Sequence, residues 1–348
     1  MRRLATCAAL AIGAIGAAAQ AQPFYQLESA VTLKGASPDW DYVTLDAARG
    51  YLFIGRRGDG VTVFDVNTKA IVRTIDESQD ANATILVPEF DRGYTINEDG
   101  TTTVFQLSTL KTIDRIKIGA DADSAFYDPA TKQLAFTMGD SSKIAFVDAQ
   151  TGKPLGELPV DSKKLDGTVA DGDGNLYMAL RDRDLVIKIE VAQRKVAAQW
   201  KTAPCEQPTG IAFDKAGKRL FVGCRGKNPV LAVLASDSGQ VVTAQPIGHG
   251  NDGVVYDGTA HKVYTSNGVD ANLVIYDQVN ADTYKLSEAV TTRPYARTMA
   301  LDPGTKKIYM VTAEGTVDPA RKINKAVAPF YPNRYFPDTF TVLTYSQK

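Results

Sequence analysis

Histidine and cysteine are scarce in this sequence, whose 348 residues contain two histidines and three cysteines. Two histidines are too few for a histidine-rich metal site. The chain also has no H-E-x-x-H, C-x-x-C, G-x-S-x-G or Walker sequence, and no segment has a sustained helical period. The sequence therefore excludes the enzyme classes that depend on those motifs, and it predicts a chain built from strands.

The N-terminus has the pattern of an export signal. A short basic region precedes an apolar segment rich in Ala and Gly, Leu4–Ala19, and small residues at Ala19 and Ala21 form the A-x-A pattern of a signal-peptidase site. We therefore predict a signal peptide over residues 1–21 and a mature domain over residues 22–348. The mature chain is expected to have no membrane span and to be periplasmic or secreted.

Charge of either sign is in little excess. Lys and Arg number 39 and Asp and Glu number 40, for a formal net charge of −1. Cleavage removes Arg2 and Arg3, which changes −1 to −3. A mildly acidic chain has no general attraction to nucleic acid or anionic membranes, although a local basic patch remains compatible with it.

Only two cysteines belong to the predicted mature chain, because Cys7 lies in the signal peptide. An oxidising compartment favours a disulfide between the remaining pair, Cys205 and Cys224. Both lie at one end of a predicted hairpin, whose geometry permits bridging. We predict the disulfide, and the alternative is two separately buried thiols.

Seven short apolar and aromatic runs recur at a nearly constant interval. They include G-Y-L-F-I-G at Gly50 and K-V-Y-T-S-N at Lys262. Intervals of 42, 40, 42, 44, 43 and 45 separate the anchors of the runs, which are Leu52, Tyr94, Leu134, Leu176, Leu220, Val263 and Ile308. Further strand patterns flank each run. Four short strands in every 40 to 45 residues are typical of propeller blades.

The two ends of the repeat array complete each other. The seventh copy reaches only its third strand, Thr339–Tyr345, and the segment Tyr25–Leu33 supplies a fourth. Pairing the two would close the ring and hide exposed sheet edges. We predict an all-β, seven-bladed propeller of four-stranded antiparallel blades, the last closed by the N-terminal strand. An open β-solenoid is the alternative, but it needs capping units that the sequence does not provide.

The second-strand phrases at Tyr94–Asn97 and Tyr264–Asn267 resemble the Tyr-Val-Thr-Asn signature of the YVTN propeller repeat. With the export signal and the closing D-T-F-T-V-L-T-Y sequence, they make the mature chain similar to the YncE-like exported bacterial propellers. The resemblance implies a seven-bladed ring. It implies little about activity, because that family shares architecture more than chemistry. Copies such as L-Y-M-A-L at Leu176 depart from the signature.

One position of the repeat, five residues before an acidic turn residue, is rich in carboxylates. We call it the ring position, and its predicted occupants are Asp41, Thr84, Asp123, Asp166, Thr209, Asp252 and Arg297. The favoured interpretation is that each Asp accepts backbone N–H bonds in a tight turn. The alternative is that four carboxylates near the axis form a channel mouth that binds calcium, magnesium, or a polyhydroxyl or cationic ligand. No cofactor is required on either interpretation.

Basic and aromatic residues gather in the loops expected on the same face. Arg56, Arg181 and Arg225 lie in loops that join second to third strands. The last blade contains a long insertion, Ala313–Asp338, which we call the flap. It interleaves basic and aromatic residues, namely Arg321, Lys322, Lys325, Phe330, Tyr331, Arg334, Tyr335 and Phe336. Such a segment suits stacking on bases or sugars, or packing onto the ring.

Three functions are compatible with these residues. The favoured one is an exported module that binds a small ligand or a protein partner at the channel mouth. The second is an enzyme of the propeller lactonase or lyase kind, in which His249 and the Asp ring assist the chemistry. The third, not favoured, binds an anionic ligand or single-stranded nucleic acid through the Arg loops and the flap.

Overall fold

The computed structural model describes residues 24–35, 39–139, 141–321 and 332–348. The predicted signal peptide lies outside these ranges. The described residues form seven four-stranded sheets and one two-stranded ribbon. The prediction of a seven-bladed β-propeller with antiparallel blades is therefore confirmed. No helix of the described ranges combines the length and apolar character needed to cross a bilayer.

In blades 1 to 3 the chain runs from an inner strand at the axis to an outer strand at the periphery. The strands of blade 1 are Val43–Asp46, Tyr51–Gly55, Val61–Asp65 and Ala70–Thr74. Those of blade 2 are Ala81–Val87, Arg92–Asn97, Thr101–Gln106 and Lys111–Lys117, with a 3-10 helix at Pro88–Phe90. Those of blade 3 are Ala122–Asp128, Gln133–Met138, Lys143–Asp148 and Pro154–Pro159.

Blades 4 to 6 follow the same order. The strands of blade 4 are Leu165–Ala170, Asn175–Leu180, Leu185–Glu190 and Lys195–Lys201. Those of blade 5 are Pro208–Asp214, Arg219–Cys224, Val230–Ala235 and Val241–Pro246. Those of blade 6 are Asn251–Asp257, Lys262–Asn267, Asn272–Asn280 and Thr283–Thr291.

The seventh blade is built from two distant segments of the chain. From the axis outwards its strands are Met299–Leu301, Ile308–Thr312, Thr341–Gln347 and Tyr25–Thr32. The outer two pair antiparallel, with Tyr25 opposite Gln347 and Thr32 opposite Thr341. The N-terminal strand therefore closes the ring, as the sequence predicted.

The hydrophobic core lies between neighbouring blades rather than in one central cluster. Inner strands of adjacent blades contact each other around the whole ring, including blade 7 with blade 1. Second strands are almost fully buried, whereas outer strands alternate between exposed and half-buried residues. Phe53 of blade 1 stacks on Phe105 of blade 2, with ring centroids 5.7 Å apart. The outer strands alternate exposed and half-buried residues because only one of their faces packs on a neighbour, whereas the second strands are largely apolar because both of their faces are buried.

An Asp at the end of most inner strands fixes the turn to the second strand. In blade 3, Asp128 accepts the Thr131 backbone N–H at 3.0 Å, and in blade 6 Asp257 accepts that of Thr259 at 2.9 Å. These Asx turns recur at Asp46, Asp128, Asp171, Asp214, Asp257 and Asp302. The acidic turn residue of these six blades therefore has a local structural role.

The repeated Tyr-Thr-Asn phrase joins one blade to the next. The Tyr94 hydroxyl donates to the Ala149 carbonyl of blade 3 at 2.8 Å, and the Tyr264 hydroxyl lies 3.2 Å from that of Tyr25 in blade 7. At the other end of the strand, Asn97 bonds to threonine hydroxyls of its own hairpin. The phrase recurs because each buried tyrosine needs a partner on its neighbour.

Candidate ligand site at the channel mouth

The ring position stands at a β-bulge where the inner strand begins. In blade 3 the strand pairing jumps from Ala122 to Ser124 and leaves Asp123 unpaired. Register shifts occur at the same level in blades 2, 4, 5 and 6. A bulge re-aims a side chain out of the regular alternation of the strand. The backbone of the repeat therefore presents these side chains at the mouth of the channel.

The strand register corrects one member of the predicted ring. The inner strand of blade 2 ends at Val87, which pairs with Arg92. Five residues before Val87 lies Asn82, so Asn82 occupies the ring position and the prediction of Thr84 was wrong. That prediction counted from Glu89, which lies in the 3-10 helix beyond the strand. The ring consists of four Asp with one Asn, one Thr and one Arg.

A cavity of about 370 Å³ opens at this mouth, and its described lining is balanced in charge. Five carboxylates line it, namely Asp41, Glu98, Asp123, Asp166 and Asp252. Five cationic side chains line it as well, namely Arg57, Lys164, Arg181, Arg225 and Arg297. Tyr42 and Tyr335 complete the lining. The inner-strand ends and the second-to-third-strand loops, which the sequence placed on one face, supply most of these groups.

Six of these charges form a continuous alternating chain across five blades. Arg297 of blade 7 lies 3.0 Å from Asp252 and 3.6 Å from Asp41, and Arg57 lies 2.9 Å from Asp41. Further ion pairs join Arg57 to Glu98 and Arg225 to Asp252. In order, the members are Arg225, Asp252, Arg297, Asp41, Arg57 and Glu98. We call this set the charge chain, and it ties blades 5, 6, 7, 1 and 2 together.

The two remaining ring carboxylates pair within blades 3 and 4. Asp166 lies 3.0 Å from Arg181 and also accepts the Gly167 backbone N–H at 3.0 Å. Asp123 lies 3.8 Å from Lys164. The carboxylates thus bond mainly to cationic side chains rather than to turn amides. In the part of the chain that the structure describes, no three acidic, His or Cys side chains are placed to hold a metal ion. Calcium or magnesium binding there stays a prediction.

Burial and crowding shift the protonation of the mouth. Burial raises the pKa of Asp123 to about 7, and the negative charge of Asp41 adds to this rise, whereas Lys164 opposes it. Burial also raises the pKa of Asp41 and of Asp166, although the Arg partner of each acts in the opposite direction. The net charge of the mouth therefore becomes more positive as the pH falls through neutrality.

An aromatic platform anchors the flap beside the mouth. The ring centroid of buried Trp40 lies 5.0 Å from that of Tyr335 in the flap and 5.8 Å from that of Phe340. The Arg297 guanidinium lies over Trp40 at 5.2 Å, a cation–π contact. The strands Gly315–Thr316 and Arg334–Tyr335 form the two-stranded ribbon that holds Tyr335 in place. The described part of the flap thus packs on the ring and forms one wall of the cavity.

Several predicted site residues lie away from the cavity. Arg56 is buried, pairs with Asp59 at 3.0 Å and lies over the Phe340 ring at 4.6 Å. Arg334 is 56% exposed and lies 3.9 Å from Asp318. Neither lines the mouth, and Tyr331 lies outside the described residues.

His249 pairs with a carboxylate outside the ring position. Its Nδ1 lies 2.9 Å from Asp270, and the side chain is 54% exposed. It does not line the described cavity. The candidate acid–base residue and the Asp ring are therefore not assembled around one space.

Arg57, Glu98 and Lys164 line the mouth, although the sequence did not single them out as site residues. Arg57 was within reach of prediction, since it follows Arg56 in a loop assigned to this face. Glu98 and Lys164 sit in loops whose sequences differ between repeats. Glu98 and Lys164 meet at the mouth only because of the ring geometry, and no sequence motif marks them.

A disulfide joins Cys205 and Cys224, whose Cα atoms are 5.4 Å apart. It links the linker that enters blade 5 to the end of that blade's second strand. Both cysteines are buried. The bridge therefore fixes the loop beside Arg225 at the rim of the mouth.

Solved structures share this architecture at low sequence identity. A chain of Kuenenia stuttgartiensis hydrazine synthase matches at 16% identity and a TM-score of 0.68, over 80% of this chain and 94% of that one. A chain of a mitotic checkpoint complex matches at 13% identity with a TM-score of 0.69, over 89% of this chain and 95% of that one. The WD40 repeats of RRP9 match at 7% identity with a TM-score of 0.72, over 93% of this chain and 100% of that one. These likenesses show the propeller fold.

Sequence comparisons add no family. No protein-family model matches the chain, and no curated protein matches it by sequence. The fold is compatible with a binding or scaffold module, since unrelated functions share propellers. Any more specific function has to be argued from the site itself.

Proposed function

We propose that this protein is a binding module whose channel mouth captures a small polar ligand with both a positive and a negative group. The observation that carries the proposal is the cavity of about 370 Å³, whose described lining has five carboxylates and five cationic side chains. Cavities of this size hold small molecules. A zwitterion meets complementary charges in such a space, whereas a ligand of one sign meets as much repulsion as attraction.

The ion pairs of the mouth also suit exchange. Arg57 is 31% exposed and Glu98 is 50% exposed, so a ligand reaches both groups. A ligand carboxylate on Arg57 and a ligand ammonium on Glu98 would replace one internal pair by two pairs. Exposed ion pairs contribute little stability, so such an exchange costs little.

The other two functional hypotheses have less support. The lactonase or lyase hypothesis needs His249 at the mouth, but His249 pairs with Asp270 outside the cavity lining. The nucleic-acid hypothesis needs an excess of basic charge, whereas the lining is balanced. Arg321 and Arg334 of the flap each lie 3.9 Å from Asp318, and neither lines the described cavity.

Export to the periplasm or the exterior is part of the proposal. The N-terminal signal pattern supports it, and so does the buried disulfide, because such bridges persist in oxidising compartments. Membership of the YVTN and YncE-like propellers is likewise proposed from the Tyr-Thr-Asn phrases and the fold. The N-terminal mass of the exported protein tests cleavage after Ala21.

Calorimetry with matched small ligands tests the function. The panel contains zwitterions (glycine, dialanine and betaine), the anion acetate and the cation methylammonium. We expect zwitterions to bind more tightly than either single-charge ligand. Arg57→Gln should weaken zwitterion binding about tenfold, the effect of losing one charged hydrogen bond. Arg115→Gln is the matched control. Arg115 lies on the outer strand of blade 2, where it pairs with Asp99, and it does not line the described cavity. Equal binding by the two variants, or no zwitterion binding at all, would refute the proposal.

A further inference from the structure

Below the mouth, the inner strands of all seven blades line a second cavity of about 220 Å³. Its walls are largely aliphatic and aromatic, and they include Val43, Ile85, Phe126, Ile211 and Val254. Tyr42 and Asp252 line both this cavity and the mouth, so the two spaces adjoin. We call the lower space the channel.

The passage between the two spaces is built from small residues. The residue that follows the ring position is small in six blades, and these residues are Ala83, Ser124, Gly167, Gly210, Gly253 and Thr298. Only blade 1 places a large side chain, Tyr42, at this level. A Cβ at Gly167 would lie 2.0 Å from the Thr209 carbonyl oxygen, so close packing of the inner strands requires glycine there. The same packing leaves the axis open.

An apolar space beneath a charged mouth is suited to one ligand with two chemically different ends. Most of the exposed channel wall is apolar, although threonine and serine hydroxyls also line it, so water there finds fewer polar partners than at the mouth. An apolar group that replaces this water gains free energy in proportion to its buried surface. The charged mouth meanwhile holds the polar end and fixes the orientation of the ligand.

We infer that the ligand is a zwitterion with an apolar side group, which binds with its charged end at the mouth and its apolar group in the channel. This inference rests on the proposed function for the charged end. It adds the chemical class of the rest of the ligand, which resembles an α-amino acid with a long aliphatic or an aromatic side chain. The channel volume corresponds to about seven water molecules at about 30 Å³ each, which is room for a side group of several carbons.

A homologous series of ligands measures the channel separately from the mouth. The series is glycine, alanine, 2-aminobutyrate, norvaline and norleucine, which share one charged end and differ by single methylenes. We expect the dissociation constant to fall about fourfold per added methylene until the channel is filled. A flat series in which every member binds would overturn the inference and leave the proposed function standing.

Filling the channel supplies the matched variant. Ala125 lines the channel and is 6% exposed, so Ala125→Leu places extra carbons in that space. We expect it to abolish the dependence on chain length while glycine binds as in the parent. Ala197→Leu, on the exposed outer strand of blade 4, adds the same side chain elsewhere and should keep the full dependence. Ala83→Val, a smaller enlargement in the channel, replaces Ala125→Leu if that variant does not fold.

Uncharged ligands separate the two failures. One outcome is that no zwitterion binds, while hexanol binds to the parent and is weakened by Ala125→Leu. The proposed function at the mouth is then refuted and the apolar site in the channel is supported. If neither zwitterions nor hexanol bind, both are refuted. If Ala125→Leu leaves the slope of the series unchanged, the apolar group binds elsewhere and the inference fails.

Discussion

Asp123→Asn is expected to stabilise the protein relative to the parent, and to do so more at alkaline pH than in mild acid. Burial raises the pKa of Asp123 to about 7 from its ordinary value of 3.8. Between these two values the folded state holds a proton that the unfolded state has lost. Stability from this group is therefore complete below the lower value and is lost as the pH rises through the upper one. Asparagine removes the titration at nearly constant shape.

The magnitude follows from the size of the shift. One pKa unit corresponds to about 1.4 kcal/mol, so a shift of roughly three units corresponds to about 4 kcal/mol. The Asp123 side chain is 25% exposed and pairs with Lys164 at 3.8 Å, so solvent screening reduces the effect. We expect Asp123→Asn to gain about 1–2 kcal/mol relative to the parent between about pH 5 and about pH 8.5.

Urea unfolding of both proteins at the two pH values measures this difference. Subtracting the parent removes the contributions of most other titrating groups, which the variants share. Asp161→Asn is the control, because Asp161 is 97% exposed and also pairs with a cationic side chain. Its stability difference from the parent should be the same at both pH values. A pH-independent difference for Asp123→Asn would refute the reasoning, and so would a loss of stability that grows with pH.

Four further predictions concern the ring as a whole. Replacing Cys205 and Cys224 by Ser should cost about 3 kcal/mol in the free energy of unfolding, since the bridge closes a 19-residue separation; no change in the urea midpoint would contradict this. Deleting Tyr25–Leu33 should expose the edge of Thr341–Gln347 and give an aggregating protein in size-exclusion chromatography, and a monomer melting near the parent would refute closure. Arg297→Met should cost about 3–5 kcal/mol, because two buried carboxylates lose a partner; a loss below about 1 kcal/mol would show that neighbouring arginines compensate. If the ring carboxylates hold a cation, calcium added after exhaustive chelation should raise the melting temperature in a dose-dependent way, and an unchanged melting temperature would return the carboxylates to a structural role.

The fold was predictable because each repeat satisfies the same local constraints. An apolar second strand recurs in every blade and an Asx turn recurs in six, while buried tyrosines such as Tyr94 and Tyr264 add contacts to the neighbouring blade. The closing strand was predictable because the seventh repeat had only three strands and the N-terminal strand had no other partner. Blade 2 misled the counting at one position, since Val87 stands where other blades place the turn Asp.

The site was less predictable because it depends on contacts between blades. Asp41, Asp166 and Asp252 shared a repeat position, so the sequence grouped them correctly at the mouth. Their partners have no shared position. Arg297 reaches two blades from a ring position where others have carboxylates, and Arg57 comes from a loop. The small residues below the mouth follow the ring position in the repeat, but the sequence did not show that together they surround one open passage at the axis.

The closing strand pair has a consequence for the order in which the molecule is made. Thr32 and Thr341, which face each other across the last two strands of the ring, are separated by 309 positions in the chain. Each of the other six blades is made of consecutive strands, whereas Tyr25–Thr32 can pair only after Thr341–Gln347 has been synthesised. Closing so long a loop carries the largest entropic cost of any pairing in the fold. Tyr25–Thr32 therefore remains without its partner strand until Thr341–Gln347 has emerged, and the charge chain, which crosses the seam between blades 7 and 1, is complete only when the two ends of the ring meet.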